Sequence, residues 1–312
     1  MKLAFLYAGQ GSQCVGMGKD FYQENDAFRT AFDSADLPFD YKSICFEDPQ
    51  EQLSDTRYTQ PCMVAFACGI TAALAQQGIV PQAVAGLSLG EYSALQAAGV
   101  FTAKQAIELV AFRGNVMAQA VQNRPSGMAA ILGMSRDDLL SCCQSVQHIG
   151  ICEIANYNCP GQLVIAGDSS AVEVACQVAK QAGAKRCVPL NVSGPFHTSL
   201  MAPAAQQLKQ RFAQESFGEM QVPVIFNCLG KPKTSQQTVA QLLEQQVQSS
   251  VYFEDTILWL QSQGFDTIVE IGPGKTLSGF VKKTAKEIRT FQVEDIPSFH
   301  TTLCALKGEQ TP

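Results

Sequence analysis

The chain has 312 residues, 46% of them hydrophobic, with a mean hydropathy of +0.02, which suits one large globular domain or such a domain carrying an insert. A net charge of −6 and a pI near 5.2 argue against general nucleic-acid binding and against a polybasic membrane anchor, so an acidic partner has to meet a local basic patch. No apolar run in the sequence approaches the ~18 residues of a membrane span, and twelve scattered cysteines without Cys-x-x-Cys or Cys/His ligand spacing read as reduced thiols of a cytoplasmic protein, with no metal site.

Short apolar runs alternate with amphipathic segments from the first residues, the pattern of an α/β fold with a mostly parallel sheet. "LAFLYA" (3–8) reads as a buried strand rather than a signal peptide, because the glycine-rich turn "GQGSQ" (9–13) follows it at once. A helix over 58–78 stays apolar along most of its length and is therefore buried. "AVAGL" is a second strand, followed by a helix that starts at Ser88 and closes at Gly99. The stretch 102–122 is an amphipathic helix with a threonine cap.

After the "NRPSG" break (123–127) the order changes to strand 127–134, helix 135–146, strands 150–157 and 161–168 around "NCP", helix 169–183 and strand 185–193. This βαββαβ order is ferredoxin-like. The sequence thus predicts a large discontinuous α/β domain (1–124 and 194–312) with an inserted ferredoxin-like subdomain at 125–193. The chain returns through "GPFHTSLMAPAAQQLKQRF", adds strands in "VPVIFNCLG" and "FDTIVEIGPGKTL", and ends in a polar tail after Gly308.

Gly86-x-Ser88-x-Gly90 has the spacing of a strand that turns sharply into a helix, which exposes a serine hydroxyl at the helix N-terminus. Gln10, Ser88, His197 and the loop Gly272–Lys275 all fall at predicted strand ends, and loops after the carboxyl ends of parallel strands converge on one crevice. A serine nucleophile needs a base and an oxyanion-binding donor pair. Backbone N–H groups of Gln10 and Leu89 are available for the pair. Of three histidines, His148 lies in a helix-to-strand loop and His300 near the unstructured-looking end, while His197 follows a Gly-Pro turn and opens a helix. His197 is then either the base or a polar residue at a helix start. Arg113 falls inside the apolar face formed by Ala106, Leu109, Val110, Met117 and Ala120. Such a charge either snorkels to water or is buried and paired, and a guanidinium is shaped to grip a substrate carboxylate.

Taken in order, "GQGSQ", "GLSLGEYSAL", "RGNVMAQA", "ANYNCPGQLVIAG", "SGPFHTSLM" and "EIGPGKTLSG" resemble the malonyl-CoA:acyl-carrier-protein transacylases of fatty acid and polyketide synthesis over nearly the whole chain. The resemblance implies an α/β-hydrolase-like domain with a ferredoxin-like insert. It implies acylation of Ser88, His197 as base, an oxyanion hole at Gln10 and Leu89, and Arg113 on the malonyl carboxylate. A backbone carbonyl, best matched at Gln246, orients the histidine in place of an acid. Gln60 and Met117 are placed with Arg113 as substrate-binding residues, and Phe196 matches malonyl-selective members. Lys185, Arg186, Lys282 and Lys283 match a docking patch for an acyl carrier protein. Two departures, Leu87 where histidine is common and Tyr7-Ala8 where Phe-Pro is common, bear on packing more than on chemistry. The expected partners are malonyl-CoA and the carrier protein, with no cofactor, nucleic acid or membrane, and the chain acting as a monomer. The alternatives are an acyl-CoA or acyl-carrier-protein hydrolase, which an α/β-hydrolase Ser…Asp/Glu…His order would favour, and a non-catalytic docking subunit.

Overall fold

In the computed structural model, residues 1–122, 124–192 and 194–308 are described. The tail after Gly308, Asn123 of the predicted break and Ser193 at the predicted end of the insert lie outside them. Strand β1 (Leu3–Tyr7) is buried at every position, as its unbroken apolar run requires of a strand covered on both faces. Three short helices follow, α1 (Lys19–Glu24), α2 (Asp26–Phe32) and α3 (Tyr41–Phe46). They are held by aromatic packing: Phe28 stacks on Phe21 at 5.3 Å and on Phe32 at 5.6 Å.

Helix α4 (Thr56–Gln76) is capped by the Asp55 side chain. By length and composition it does pass for a membrane span, contrary to the reading of the bare sequence, but 78% of its apolar window is buried inside the protein. Gly69 on α4 leaves the room that the Phe28 ring fills. Strand β2 (Ala83–Gly86) leads into α5 (Gly90–Ala97), and α6 (Ala103–Ala120) begins with the predicted Thr102 cap, whose hydroxyl accepts the Gln105 N–H.

Next come β3 (Ser126–Leu132), α7 (Arg136–Ser145), β4 (Cys152–Cys159), β5 (Gln162–Asp168), α8 (Ser169–Gln181) and β6 (Arg186–Leu190). The hairpin turns at Pro160-Gly161 and not at "NCP". Asn158 and Cys159 stay in β4, because Gly161 at φ 71° supplies the left-handed position of the tight turn. The chain continues through a 3₁₀ turn into α9 (Ala202–Phe212), β7 (Val224–Ile225), α10 (Val239–Gln246), β8 (Val251–Tyr252), α11 (Phe253–Ser262), β9 (Thr267–Ile271), α12 (Thr276–Thr284), β10 (Arg289–Val293) and α13 (Ile296–Lys307).

Two compact units result. The first (Met1–Gly114, Phe217–Ile225, Trp259–Pro312) holds a parallel sheet in the order β10-β9-β1-β2-β7. Tyr7 is in register with Gly86 on one side and Ile271 on the other, so the loops after β1, β2 and β9 leave the same edge.

The second unit (Asn115–Ser216, Phe226–Leu258) holds the sheet β6-β3-β5-β4-β8, antiparallel except for β8 alongside β4. Helices α7 and α8 cover it through a core that includes Ile131, Leu139, Ile154, Leu163, Ile165 and Ala175. This unit is larger than the 125–193 insert drawn from the sequence. Chain from beyond 193 is bound into it: Val251 pairs with Asn156, Tyr252 stacks on Tyr157 at 5.0 Å, and Arg136 bridges to Glu254 and Asp255.

Candidate active site

Ser88 sits between β2 and α5 at φ 51°, a left-handed conformation that an L-residue adopts at a cost. The two glycines of its motif are steric requirements. A Cβ on Gly86 would overlap the backbone of Gly90, and a Cβ on Gly90 would overlap the Tyr7 carbonyl at the end of β1. Gly9 packs as closely, its Cβ position lying 2.5 Å from the Leu87 carbonyl oxygen. The glycine turn after β1 is thereby pressed against the serine turn after β2. Among the described residues, neither the Gln10 nor the Leu89 backbone N–H has a hydrogen-bond acceptor. Leu89 is the N-cap of α5, and the Gln10 side chain is tied down by donating to Thr56 Oγ1 at 2.8 Å. Two donors at fixed turns beside a serine can bind a developing oxyanion.

Arg113 does not snorkel. It is 1% exposed, donates from Nη1 to Gln60 Oε1 at 2.9 Å and from Nη2 to Ser88 Oγ at 3.3 Å, and lies over the Tyr92 ring at 5.4 Å. Burial pushes its pKa below the usual guanidinium value, while Tyr92 and Glu91 act in the opposite direction. A guanidinium titrates so high that it remains a cation at neutral pH. Gly114 lets α6 lie close to α4, since a Cβ there would come within 2.6 Å of the Thr56 carbonyl oxygen. That approach brings Arg113 to Gln60, which is itself fully buried.

The third loop of this edge follows β9. Glu270, which sequence reasoning passed over, is buried and accepts the N–H groups of Leu277 and Ser278 at 2.9 and 2.7 Å, capping α12. Burial raises its pKa against the lowering effect of those hydrogen bonds. Its only signal in the sequence is a charged residue in an otherwise apolar strand. Gly272 at φ 142° lies against Ala8, where a Cβ would collide with the alanine side chain. The small residue at the Ala8 departure therefore fits this packing.

In the second unit, His197 is 3% exposed and sits at φ 63°. Its backbone N–H donates to the Val247 carbonyl at 3.2 Å, and its Nδ1 is 2.8 Å from the Gln246 carbonyl oxygen. A carbonyl only accepts, so Nδ1 carries the proton and Nε2 is left as the acceptor nitrogen of the neutral ring. Gln246 ends α10, whose start is fixed by a capping box between Thr238 and Gln241. Phe196, just before the histidine, and Met117 on α6 are buried. The remaining histidines are exposed. His148 lies in its predicted loop, but His300 is on α13 rather than in an unstructured end, because the Asp295 cap and a helical run through Lys307 carry the chain past it. Lys185 and Arg186 are exposed at the start of β6 in the second unit, and Lys282 and Lys283 in the last turn of α12 in the first. Among the described residues, no group of three or more His, Cys, Asp or Glu side chains is placed to hold a metal ion.

A strained serine elbow at the carboxyl edge of a parallel sheet defines the class: α/β enzymes that work through a serine. The family described as "Acyl transferase domain" matches residues 4–307. The chain is 42% identical, over 99% of its length and 98% of the relative's, to the malonyl CoA-acyl carrier protein transacylase of Bacillus subtilis. The crystal structure of malonyl CoA-acyl carrier protein transacylase from Clostridium perfringens superposes with a TM-score of 0.96 at 38% identity, covering 99% of this chain and 98% of that one. A type II PKS acyl-carrier protein in complex with its malonyl-transacylase (PlMCAT:AntF) contains a chain matched at a TM-score of 0.93 and 36% identity, over 99% of this chain and all of that one. This chain belongs to the acyl transferase family, among its malonyl CoA-acyl carrier protein transacylases.

Proposed function

We propose that the chain moves a malonyl group from malonyl-CoA to the phosphopantetheine thiol of an acyl carrier protein, through an ester on Ser88. The observation that carries this reading is the buried Arg113 guanidinium 3.3 Å from Ser88 Oγ. A cation with fork geometry beside the nucleophile suits an acyl group that brings its own carboxylate. Gln60 holds one arm of the fork, and Met117 and Phe196 are assigned to the wall of the acyl pocket.

In the first half-reaction His197 Nε2 takes the proton from Ser88 Oγ, which attacks the thioester carbonyl carbon. The Gln10 and Leu89 N–H groups bind the oxyanion, the C–S bond breaks, and the CoA sulfur leaves with the proton from His197. In the second, His197 takes the proton of the pantetheine thiol, the sulfur attacks the ester carbonyl, and Ser88 Oγ regains its proton as the C–O bond breaks. The Gln246 carbonyl keeps the imidazole in the tautomer that both halves need and favours the imidazolium that forms between them. Every group in this cycle comes from the chain or its two substrates, so the reading requires no cofactor. It places the chain in the cytoplasm as a monomer, with Lys185, Arg186, Lys282 and Lys283 meeting an acidic carrier protein.

Intact-mass measurement after brief exposure to malonyl-CoA tests the reading. The wild type gains one malonyl mass, Ser88→Ala gains none, and adding carrier protein moves the label to it. Stable labelling of Ser88→Ala, or release of free malonate in place of transfer, contradicts it.

A further inference from the structure

In the first unit, α12, β10 and α13 border an open cavity of about 440 Å³. That volume is in the range of small-molecule sites. Two lysines line it, Lys275 at the N-cap of α12 and Lys282 seven residues on, and among the described residues neither has an acidic partner. Gln292 on β10 also lines it, and its buried side-chain Nε2 has no hydrogen-bond acceptor among the described residues. Its main-chain carbonyl is already engaged, accepting from Thr302 Oγ1 at 2.9 Å.

A buried amide donor without an acceptor is costly, and two ammonium groups beside it set the sign of what would satisfy it. Among the described residues, no carboxylate lines the cavity. The N-terminus of α12 is not the anion holder, since Glu270 already takes the Leu277 and Ser278 N–H groups, and the nearby Glu294 carboxylate is held by Gly274 N–H at 2.7 Å. The site thus offers side-chain donors and two positive charges, with Phe291 of β10 also in its lining.

We propose that this cavity binds a small organic phosphate, with the phosphoryl oxygens on Lys275, Lys282 and Gln292 and the organic part against Phe291. A phosphoryl group matches the donors better than a carboxylate does, having three free oxygens and up to two negative charges for two lysines. None of the lining residues is one assigned to the acyl chemistry at Ser88, and binding there is read without turnover, so its failure leaves the transfer reaction standing.

The test is calorimetric titration of the full chain with AMP as probe and adenosine as the phosphate-free control. AMP is expected to bind one to one, and adenosine about tenfold more weakly or worse. Lys275→Gln and Gln292→Met should each weaken AMP by about tenfold, and added salt should weaken it further. Lys286→Gln removes an equal charge from an exposed position outside the cavity and should leave AMP binding unchanged. No AMP binding at millimolar concentration, adenosine binding as tightly as AMP, or equal losses in Lys286→Gln and Lys275→Gln would overturn the proposal. CoA carries the same chemistry. If CoA displaces AMP and is itself weakened by Lys275→Gln, the phosphate is the substrate's own; if AMP stays bound under saturating CoA, the ligand is a separate nucleotide. Both results support the site.

Discussion

At the scale of single residues, four described side chains stand where glycine would be easier, Asp48, Glu51, Ser88 and His197, and the last two, at φ 51° and φ 63°, are the residues assigned to the chemistry. Strain of this kind persists where surrounding structure fixes it and the side chain is needed. Ser88→Gly should therefore be more stable than Ser88→Ala by about 1 kcal/mol, since both lack the hydroxyl and only alanine keeps the left-handed penalty. Denaturant unfolding of the two variants checks this, and equal midpoints would remove strain from the description of the elbow. Gly90 shows the converse. With the Tyr7 carbonyl against it, Gly90→Ala should cost about 1–3 kcal/mol and lower the rate of Ser88 acylation, because the collision is with the Tyr7 and Ala8 backbone and no flexible side chain can give way.

At the scale of elements, the contact of α6 with α4 sets the substrate cation. Gly114→Ala should push the two helices apart, loosen Arg113 from Gln60, and raise KM for malonyl-CoA while the protein stays folded. In the second unit the end of β5 is held electrostatically. Asp168 accepts from Arg124 Nε at 2.6 Å, Arg124 Nη2 at 2.9 Å and the Ile151 N–H at 2.8 Å. Arg124 is the chief cause that holds its carboxyl below the ordinary aspartate value of 3.8. A depressed folded pKa means stability that is present above 3.8 and lost as pH falls through the lower folded value. Asp168→Asn should thus melt below the wild type at neutral pH, with the gap closing on acidification below that point. A gap that does not change with pH would show that the side chain acts only through its shape.

The legible elements were those whose apolar pattern repeats or whose turn chemistry is local. Strands β1, β2 and β9, helices α4 and α6, and the βαββαβ run all follow from periodicity and caps. Helices α1 to α3 did not, because helices of six or seven residues carry no periodic signal and are held by the contacts of Phe21, Phe28 and Phe32. Two-residue β8 and half-exposed β10 are likewise products of what they pair with. The site divides in the same way. Ser88, Gln10 and His197 lie in contiguous motifs whose glycines and prolines announce special backbone. Whether Arg113 reached water, and that Glu270 caps a helix seven residues ahead, depended on packing that no local pattern encodes.

Across the whole molecule, a net charge of −6 opposes an acidic partner unless the positive charge is local. Reversing Lys185, Arg186, Lys282 and Lys283 together should raise KM for carrier protein, with the effect shrinking as salt rises. Unchanged transfer kinetics at low salt would remove these residues from the docking surface. The chemistry of the molecule nonetheless centres on one side chain. Arg113→Ala should lower malonyl transfer by roughly 2–5 kcal/mol, since a carboxylate would enter without its bidentate partner. It should also relieve the penalty against acetyl, whose methyl group cannot pair with the guanidinium. The most direct measurement is therefore the ratio of kcat/KM for malonyl-CoA to that for acetyl-CoA in wild type and Arg113→Ala. The account predicts a ratio well above one in the wild type that inverts in the variant while Ser88 remains acylated. Equal loss of both activities, or an unfolded variant, would contradict it.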